Sequence, residues 1–180
     1  MHSALEGAAV RIERIGEARE SVITEQSIID ILATKHTRDL FVPHCKTGPS
    51  GGGAGGPILD AWVMPYGWTR PIIGYEVKIS RSDFKRDRKW IGYLEFCNLF
   101  FFVTPWGLID PKEVPEEAGL IWTTKTGGGI RYQKKAPSRW WHQIPQSIFM
   151  YVLMWRLGVL VQPRLPVEKT LLATPQELRL

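Results

Sequence analysis

The chain has 180 residues, 44% of them hydrophobic, with 23 Lys+Arg against 18 Asp+Glu and a formal net charge of +5. That length and apolar share suffice for one globular domain with its own core, and they exclude collagen-like, fibrous and wholly disordered chains. The basic balance permits a polyanionic partner, while two widely spaced cysteines, Cys45 and Cys97, with no CxxC spacing exclude a disulfide framework or a cysteine zinc site and fit a reducing, cytoplasmic setting.

Residues 1–20 alternate small and charged side chains without the apolar stretch of a secretory signal, and are expected to form a flexible arm. From Ser21, SVITEQSIIDILATKH spaces Val22, Ile28, Ile29 and Leu32 as a helix does, with Ser21 or Thr24 as N-cap. Arg38–His44 has a short apolar centre and predicts a strand ended by Pro43. Lys46–Pro57 holds six glycines in twelve residues and is expected to be a mobile loop, an insertion rather than a flap over substrate. Gly51, Gly53 and Gly56 satisfy GxGxxG, but a phosphate-cradling loop must run into a helix N-terminus, and here Pro57 and a strand follow.

Ile58–Met64 and Pro71–Ile79 read as two strands of an antiparallel hairpin. Ser82–Phe96 predicts one helix capped by Ser82, with Phe84, Ile91 and Leu94 on one face. Leu99–Val103 is a continuous apolar run, the pattern of a strand buried on both faces. Gly119–Thr123 and Gly129–Gln133 read as two further short strands, and Gln146–Val161 as a last helix before a proline-punctuated tail at 161–180. The longest apolar stretch, Ile148–Val161, is broken by Arg156 and too short for a membrane span. The expectation is one domain over 21–160 of α/β (α+β) class, with a central mixed sheet of four or more strands flanked by helices.

Strand alternation puts Ile72, Gly74, Glu76 and Lys78 on one face and Ile73, Tyr75, Val77 and Ile79 on the core face. The first set presents an acid and a lysine about 6 to 7 Å apart, beside a glycine that leaves room for a ligand. An isolated E-x-K is usually a surface ion pair worth at most about 1 kcal/mol. Here it has company: hairpin pairing brings Asp60 alongside Glu76, a helix bearing Glu25 lies upstream, and Lys78–Lys89 holds six basic side chains against two acidic ones. Two carboxylates and a backbone carbonyl are what a hard divalent ion takes.

These residues resemble the PD-(D/E)XK nuclease superfamily, with Asp60 as the motif aspartate and Glu76-Val77-Lys78 as the (D/E)XK element. The segment EVKISRSDFKRDRKWIGYLEFCNLFFFVTP and the later PEEAGLI look closest to the MmcB-like branch of DNA-repair endonucleases. The resemblance covers Ile58–Ile121; it departs in Leu59, where a proline is usual, and in the long glycine loop. It implies a restriction-endonuclease-like core and a nuclease that hydrolyses DNA with Mg²⁺ or Mn²⁺ held by Asp60, Glu76 and the Val77 backbone carbonyl. Lys78 would orient the attacking water and stabilise the oxyanion, and Glu25 would reach the metal directly or through water.

Lys89 and Tyr93 occupy the place of the Q-x-x-x-Y pair of RecB-like relatives, and with Arg81 and Lys85 they are the expected DNA-binding stripe. A homodimer or larger repair complex in a bacterial or phage-infected cell fits the same resemblance. A non-catalytic DNA-binding or scaffold module of the same fold, or an RNA-directed nuclease, stands as the alternative. Trp62, Trp90, Trp122 and Trp155 lie in apolar segments and are expected in the core; Trp140 and Trp141 could stack on unpaired bases, though packing is the commoner role. His36, His44 and His142 show no metal-ligand spacing and are expected to be solvated or hydrogen-bonded.

Overall fold

The computed structural model describes residues 23–47, 56–67 and 70–156; the arm at 1–20, most of the glycine-rich stretch and the tail at 161–180 lie outside the described residues. Helix α1 (Glu25–Lys35) is capped by Thr24, whose side chain accepts from the Ser27 amide while Ser27 returns a bond to the Thr24 amide. Its apolar stripe of Ile28, Ile29 and Leu32 is buried.

Six strands follow: β1 (Leu40–Lys46), β2 (Ile58–Met64), β3 (Ile73–Val77), β4 (Leu99–Thr104), β5 (Gly119–Thr123) and β6 (Ile130–Lys134). They form one mixed sheet in the order β1-β2-β3-β4-β5-β6, with β3, β4 and β5 parallel and the other pairs antiparallel. Pro43 does not end β1, which runs on to Lys46; among the described residues the strand lies at the sheet edge and pairs with β2 alone, where a missing N–H interrupts no second ladder.

The expected single helix over Ser82–Phe96 is broken into α2 (Arg81–Arg86), α3 (Trp90–Tyr93) and a 3₁₀ turn at Leu94–Phe96. Ser80, not Ser82, caps α2, and Asp87 takes an extended backbone with φ −69° and ψ 122°. The break turns the Asp87 carboxylate inward to Lys78 and lets it accept from the Lys89 amide at 2.7 Å. As a result Trp90 and Tyr93 are buried, while Ile91, placed on the apolar face by an unbroken helix, is exposed. The last helix, α4 (Gln146–Arg156), is described as far as Arg156.

The sheet is covered on both faces. One core layer joins Trp62, Trp90, Phe96, Phe100, Phe102 and Ile148; the other joins Ile28, Leu32, Tyr75, Val77, Phe101 and Val103. Strand β4 sends alternate side chains into each, which is why its sequence is apolar without a break. Each fully buried Phe contributes about 2–3 kcal/mol, so this strand anchors both layers. Helices flanking a six-stranded mixed sheet give the α/β, restriction-endonuclease-like core that the sequence implies.

Two details of packing differ from expectation. The face of β3 that carries Gly74 is itself core: a Cβ at Gly74 would lie 2.9 Å from both Cys97 Sγ and Leu59 Cδ2, so the glycine admits neighbouring side chains and leaves no room for a ligand. Among the tryptophans, Trp62 and Trp90 are buried, while Trp122 and Trp155 are partly buried against the same core and Trp122 donates to the Ile109 carbonyl. Trp140 and Trp141 are exposed.

Candidate active site

The β2/β3 register pairs Ala61 with Tyr75, Trp62 with Gly74 and Val63 with Ile73, and Asp60 and Glu76 lie just beyond its last pair. The carboxylate of Asp60 reaches past its own strand, and its Oδ2 accepts from the Val77 amide at 2.7 Å. The contact with Val77 is thus through its N–H. Lys78 leaves the strand end with its amide bonded to the Val103 carbonyl of β4.

Lys78 is the centre of the cluster. Its Nζ lies 2.9 Å from Glu76 Oε1, 2.7 Å from Asp87 Oδ2 and 3.4 Å from Asp83 Oδ2. Glu76 and Lys78 are only 6% and 5% exposed. Burial works against the ammonium, but hydrogen bonds to Asp87 and Glu76 overcome it and hold the Lys78 pKa above the ordinary lysine value. Lys78 is therefore a cation, unsuited to taking a proton.

The carboxylates are driven apart in their titration. Burial, then repulsion from Asp60, raises Glu76 to about 8 despite its bond to Lys78. Asp60 is raised too, first by burial and also by the charge of Glu25, with the Val77 amide opposing. Asp87 goes the other way: burial resists ionisation, and the Lys78 hydrogen bond and the Lys89 amide outweigh it. Glu76 Oε2 is buried with no hydrogen-bond partner. While both carboxylates are ionised neither can donate to the other, so this oxygen is satisfied by a proton on Glu76, which Asp87 would accept, by a water or by a cation.

Glu25, in the first turn of α1, projects to the same end of the sheet, where one ligand atom each of Glu25, His44 and Asp60 lie within 4.8 Å of one another. His44 reaches this point because β1 pairs Pro43 with Ala61 and Cys45 with Leu59, leaving His44 opposite Asp60. At this pair the strand alternation slips: Val42 and Cys45, and likewise Leu59 and Trp62, enter the same core layer although three residues apart. His44 has φ 46°, a left-handed conformation found at no other non-glycine residue among the described residues.

The sequence-predicted DNA-binding residues are not equivalent. Arg81 donates to Glu113 at 2.6 Å and to the Leu108 carbonyl at 2.8 Å, which ties α2 to the β4–β5 connection. Lys85 and Lys89 are exposed, and Lys85 lines, with Phe84, Asp87, Arg88 and Trp90, a cleft of about 250 Å³ whose wall includes the carboxylate that holds Lys78. Tyr93 is 4% exposed and lies inside, within the field of Glu76, Asp87 and Asp60; burial and those charges keep its phenol protonated. Structure thus gathers Asp60, Glu76, Lys78, Glu25 and Tyr93 at one end of β3, and separates them from Arg81.

Two residues escaped the sequence reading. Asp87 was legible only as an acid in a basic run, where the ordinary role is a solvated ion pair. His44 lies sixteen positions before Asp60 across a glycine-rich insertion, so its pairing depends on the strand register rather than on any motif.

A family model described as DNA repair protein MmcB-like matches residues 61–149. The matched span contains Glu76, Lys78 and Asp87 and begins one residue after Asp60. A search of curated proteins finds no match. Among solved structures, the SPO1766 protein of unknown function from Silicibacter pomeroyi superposes with a TM-score of 0.56 at 20% identity, over 79% of this chain and 94% of that one, a likeness of fold. Over residues 61–149, from β2 through the α2–α3 connection into α4, the chain is thus similar to the MmcB-like DNA repair family.

Proposed function

We propose that the protein is a metal-dependent nuclease that hydrolyses DNA phosphodiester bonds in DNA repair. The observation that carries this reading is half-buried Asp60 and buried Glu76 at the same end of one hairpin, with Lys78 bonded to Glu76. The donor set suits a divalent cation: the charge of Asp60 disfavours ionisation of Glu76, that of Glu25 disfavours ionisation of Asp60, and one buried oxygen has no partner. Asp60 and Glu76 would hold Mg²⁺ or Mn²⁺, with the Val77 carbonyl and Glu25 as further ligands, and the ion when bound polarises the scissile phosphate and acidifies a water.

The side chains of the chain do the rest. Lys78, fixed by Asp87 and kept cationic, places positive charge where the phosphorane oxygens gain negative charge. Asp87 is the positioning residue: without it the ammonium would be held by Glu76 and the exposed Asp83 alone. Tyr93 keeps a phenolic proton against the cluster as a donor. Lys85, Arg88 and Lys89 stand exposed beside the cleft to neutralise backbone phosphates without reading bases.

One observation favours the second reading, a DNA-binding module without catalysis: Lys78 is shut in by three carboxylates, as in a structural ion cluster. Cleavage of labelled linear, nicked, single-stranded and branched DNA with Mg²⁺, Mn²⁺ or EDTA decides between them. Metal-dependent cutting lost in Asp60→Asn, with unchanged circular dichroism, is the expected result. Metal-independent DNA binding without cutting by the wild type would overturn the nuclease and leave the module.

A further inference from the structure

We propose that His44 is a nitrogen ligand of the cation held at Asp60, so that the site selects a first-row transition ion such as Mn²⁺ over Mg²⁺. This rests on the reading of Asp60 as a cation ligand and adds a residue that the carboxylate pair does not contain.

The geometry points there from three directions. Glu25, His44 and Asp60 come from three different elements, α1, β1 and β2, yet bring ligand atoms within 4.8 Å of one another. His44 is exposed, so packing does not account for its position. Its neighbours on β1, Val42 and Cys45, are buried, and the chain adopts φ 46° between them, which sets the imidazole at the pair position opposite Asp60. Beside Asp60, Glu76 carries the buried oxygen without a partner, and no basic side chain is hydrogen-bonded to the Asp60 carboxylate among the described residues.

Ligand chemistry then chooses the ion. Mg²⁺ takes oxygen donors and gives up its water reluctantly, whereas imidazole with carboxylates suits Mn²⁺, Fe²⁺, Co²⁺ and Zn²⁺. An all-oxygen site made of Asp60, Glu76 and a carbonyl would show no such preference for a nitrogen-tolerant ion. One imidazole at Asp60 changes that.

The test is metal binding by the full chain without DNA. Mn²⁺ and Mg²⁺ titrations by calorimetry, with electron spin-echo spectroscopy of bound Mn²⁺, compare the wild type with His44→Asn and Asp60→Asn. Asparagine tolerates the left-handed backbone at position 44, so His44→Asn exchanges the nitrogen donor while keeping the turn. The expected result is nitrogen modulation on Mn²⁺ in the wild type, its loss in His44→Asn, and an Mn²⁺ affinity weakened at least about tenfold with Mg²⁺ little changed. Absence of nitrogen modulation in the wild type, or its persistence with unchanged affinity in His44→Asn, would overturn the role of His44. If Asp60→Asn loses Mn²⁺ in that case, the carboxylate site survives and only the imidazole is withdrawn. If Asp60→Asn binds Mn²⁺ as the wild type does, the cation site itself falls.

Discussion

Adjacent residues of β3 enter two buried polar networks on opposite sides of the sheet, and the two are built differently. On the α1 side, the Tyr75 hydroxyl meets His36 Nε2 at 2.9 Å, His36 Nδ1 meets Asp39 Oδ2 at 2.7 Å, and Asp39 Oδ1 accepts from the Tyr66 amide at 2.9 Å. That chain closes, each group finding a partner. On the other side, Glu76, Lys78, Asp83 and Asp87 set three carboxylates on one cation, with Asp60 as a fourth nearby, and one oxygen is left over. A closed network fixes a fold; an open one with surplus negative charge waits for a cation.

The largest effect that tests this contrast is at Lys78. Lys78→Ala leaves Glu76 and Asp87 buried without their counter-charge, so it is expected to lose about 3–5 kcal/mol of stability by denaturant titration along with DNA cleavage. The corresponding change on the closed side, Tyr75→Phe, deletes the hydroxyl's bonds to His36 and Tyr132 and is expected to cost about 1–2 kcal/mol with cleavage unchanged. Equal stability losses at the two positions would show that Lys78 is not the pivot of its cluster.

The two networks also respond to pH with opposite sign. Glu76 has its folded pKa raised from 4.5 to about 8, so the folded state binds the extra proton between those values and stability of the metal-free protein falls as pH rises through that window. Asp39 is resisted by burial but held below its ordinary value of 3.8 by the His36 hydrogen bond, so its contribution is present at neutral pH and lost as pH falls below about 4. Asp60→Asn removes the repulsion on Glu76 and is expected to stabilise the metal-free protein at pH 8 relative to pH 5, by on the order of 1–2 kcal/mol. Thermal melts of both proteins at the two pH values check this; a destabilised Asp60→Asn at pH 8 would mean that its bond to the Val77 amide outweighs the repulsion.

How much of this was legible follows from what each feature depends on. The capping of α1, the hairpin and the two-sided strand β4 all follow from local pattern and from period-two alternation, and the structure has them where the sequence put them. The break at Asp87 was not legible, because helical periodicity over Ser82–Phe96 is judged by apolar spacing, while the break arises from one carboxylate turning to a lysine across the sheet edge. Pro43 misled for a related reason: whether a proline ends a strand depends on its place in the sheet, which a single sequence does not contain. His44 and Gly74 depended on tertiary neighbours alone.

The smallest expected effect separates the basic residues, which the sequence grouped and the structure divides. Arg81 is engaged by Glu113 and the Leu108 carbonyl, an exposed pair worth at most about 1 kcal/mol, so Arg81→Ala should lower stability slightly and leave DNA affinity and its salt dependence as they are. Lys85 and Lys89 are exposed beside the cleft next to Asp87, and a phosphate neutralised by either releases counterions on binding. Lys85→Ala and Lys89→Ala should each weaken binding to every DNA sequence alike and reduce the slope of log affinity against log salt by about 1. Salt-titrated binding of the three variants to one duplex reads this directly. A slope reduced by Arg81→Ala and untouched by the lysines would move the phosphate path to the β4–β5 side of α2, away from the end of β3 where Asp60 and Glu76 lie.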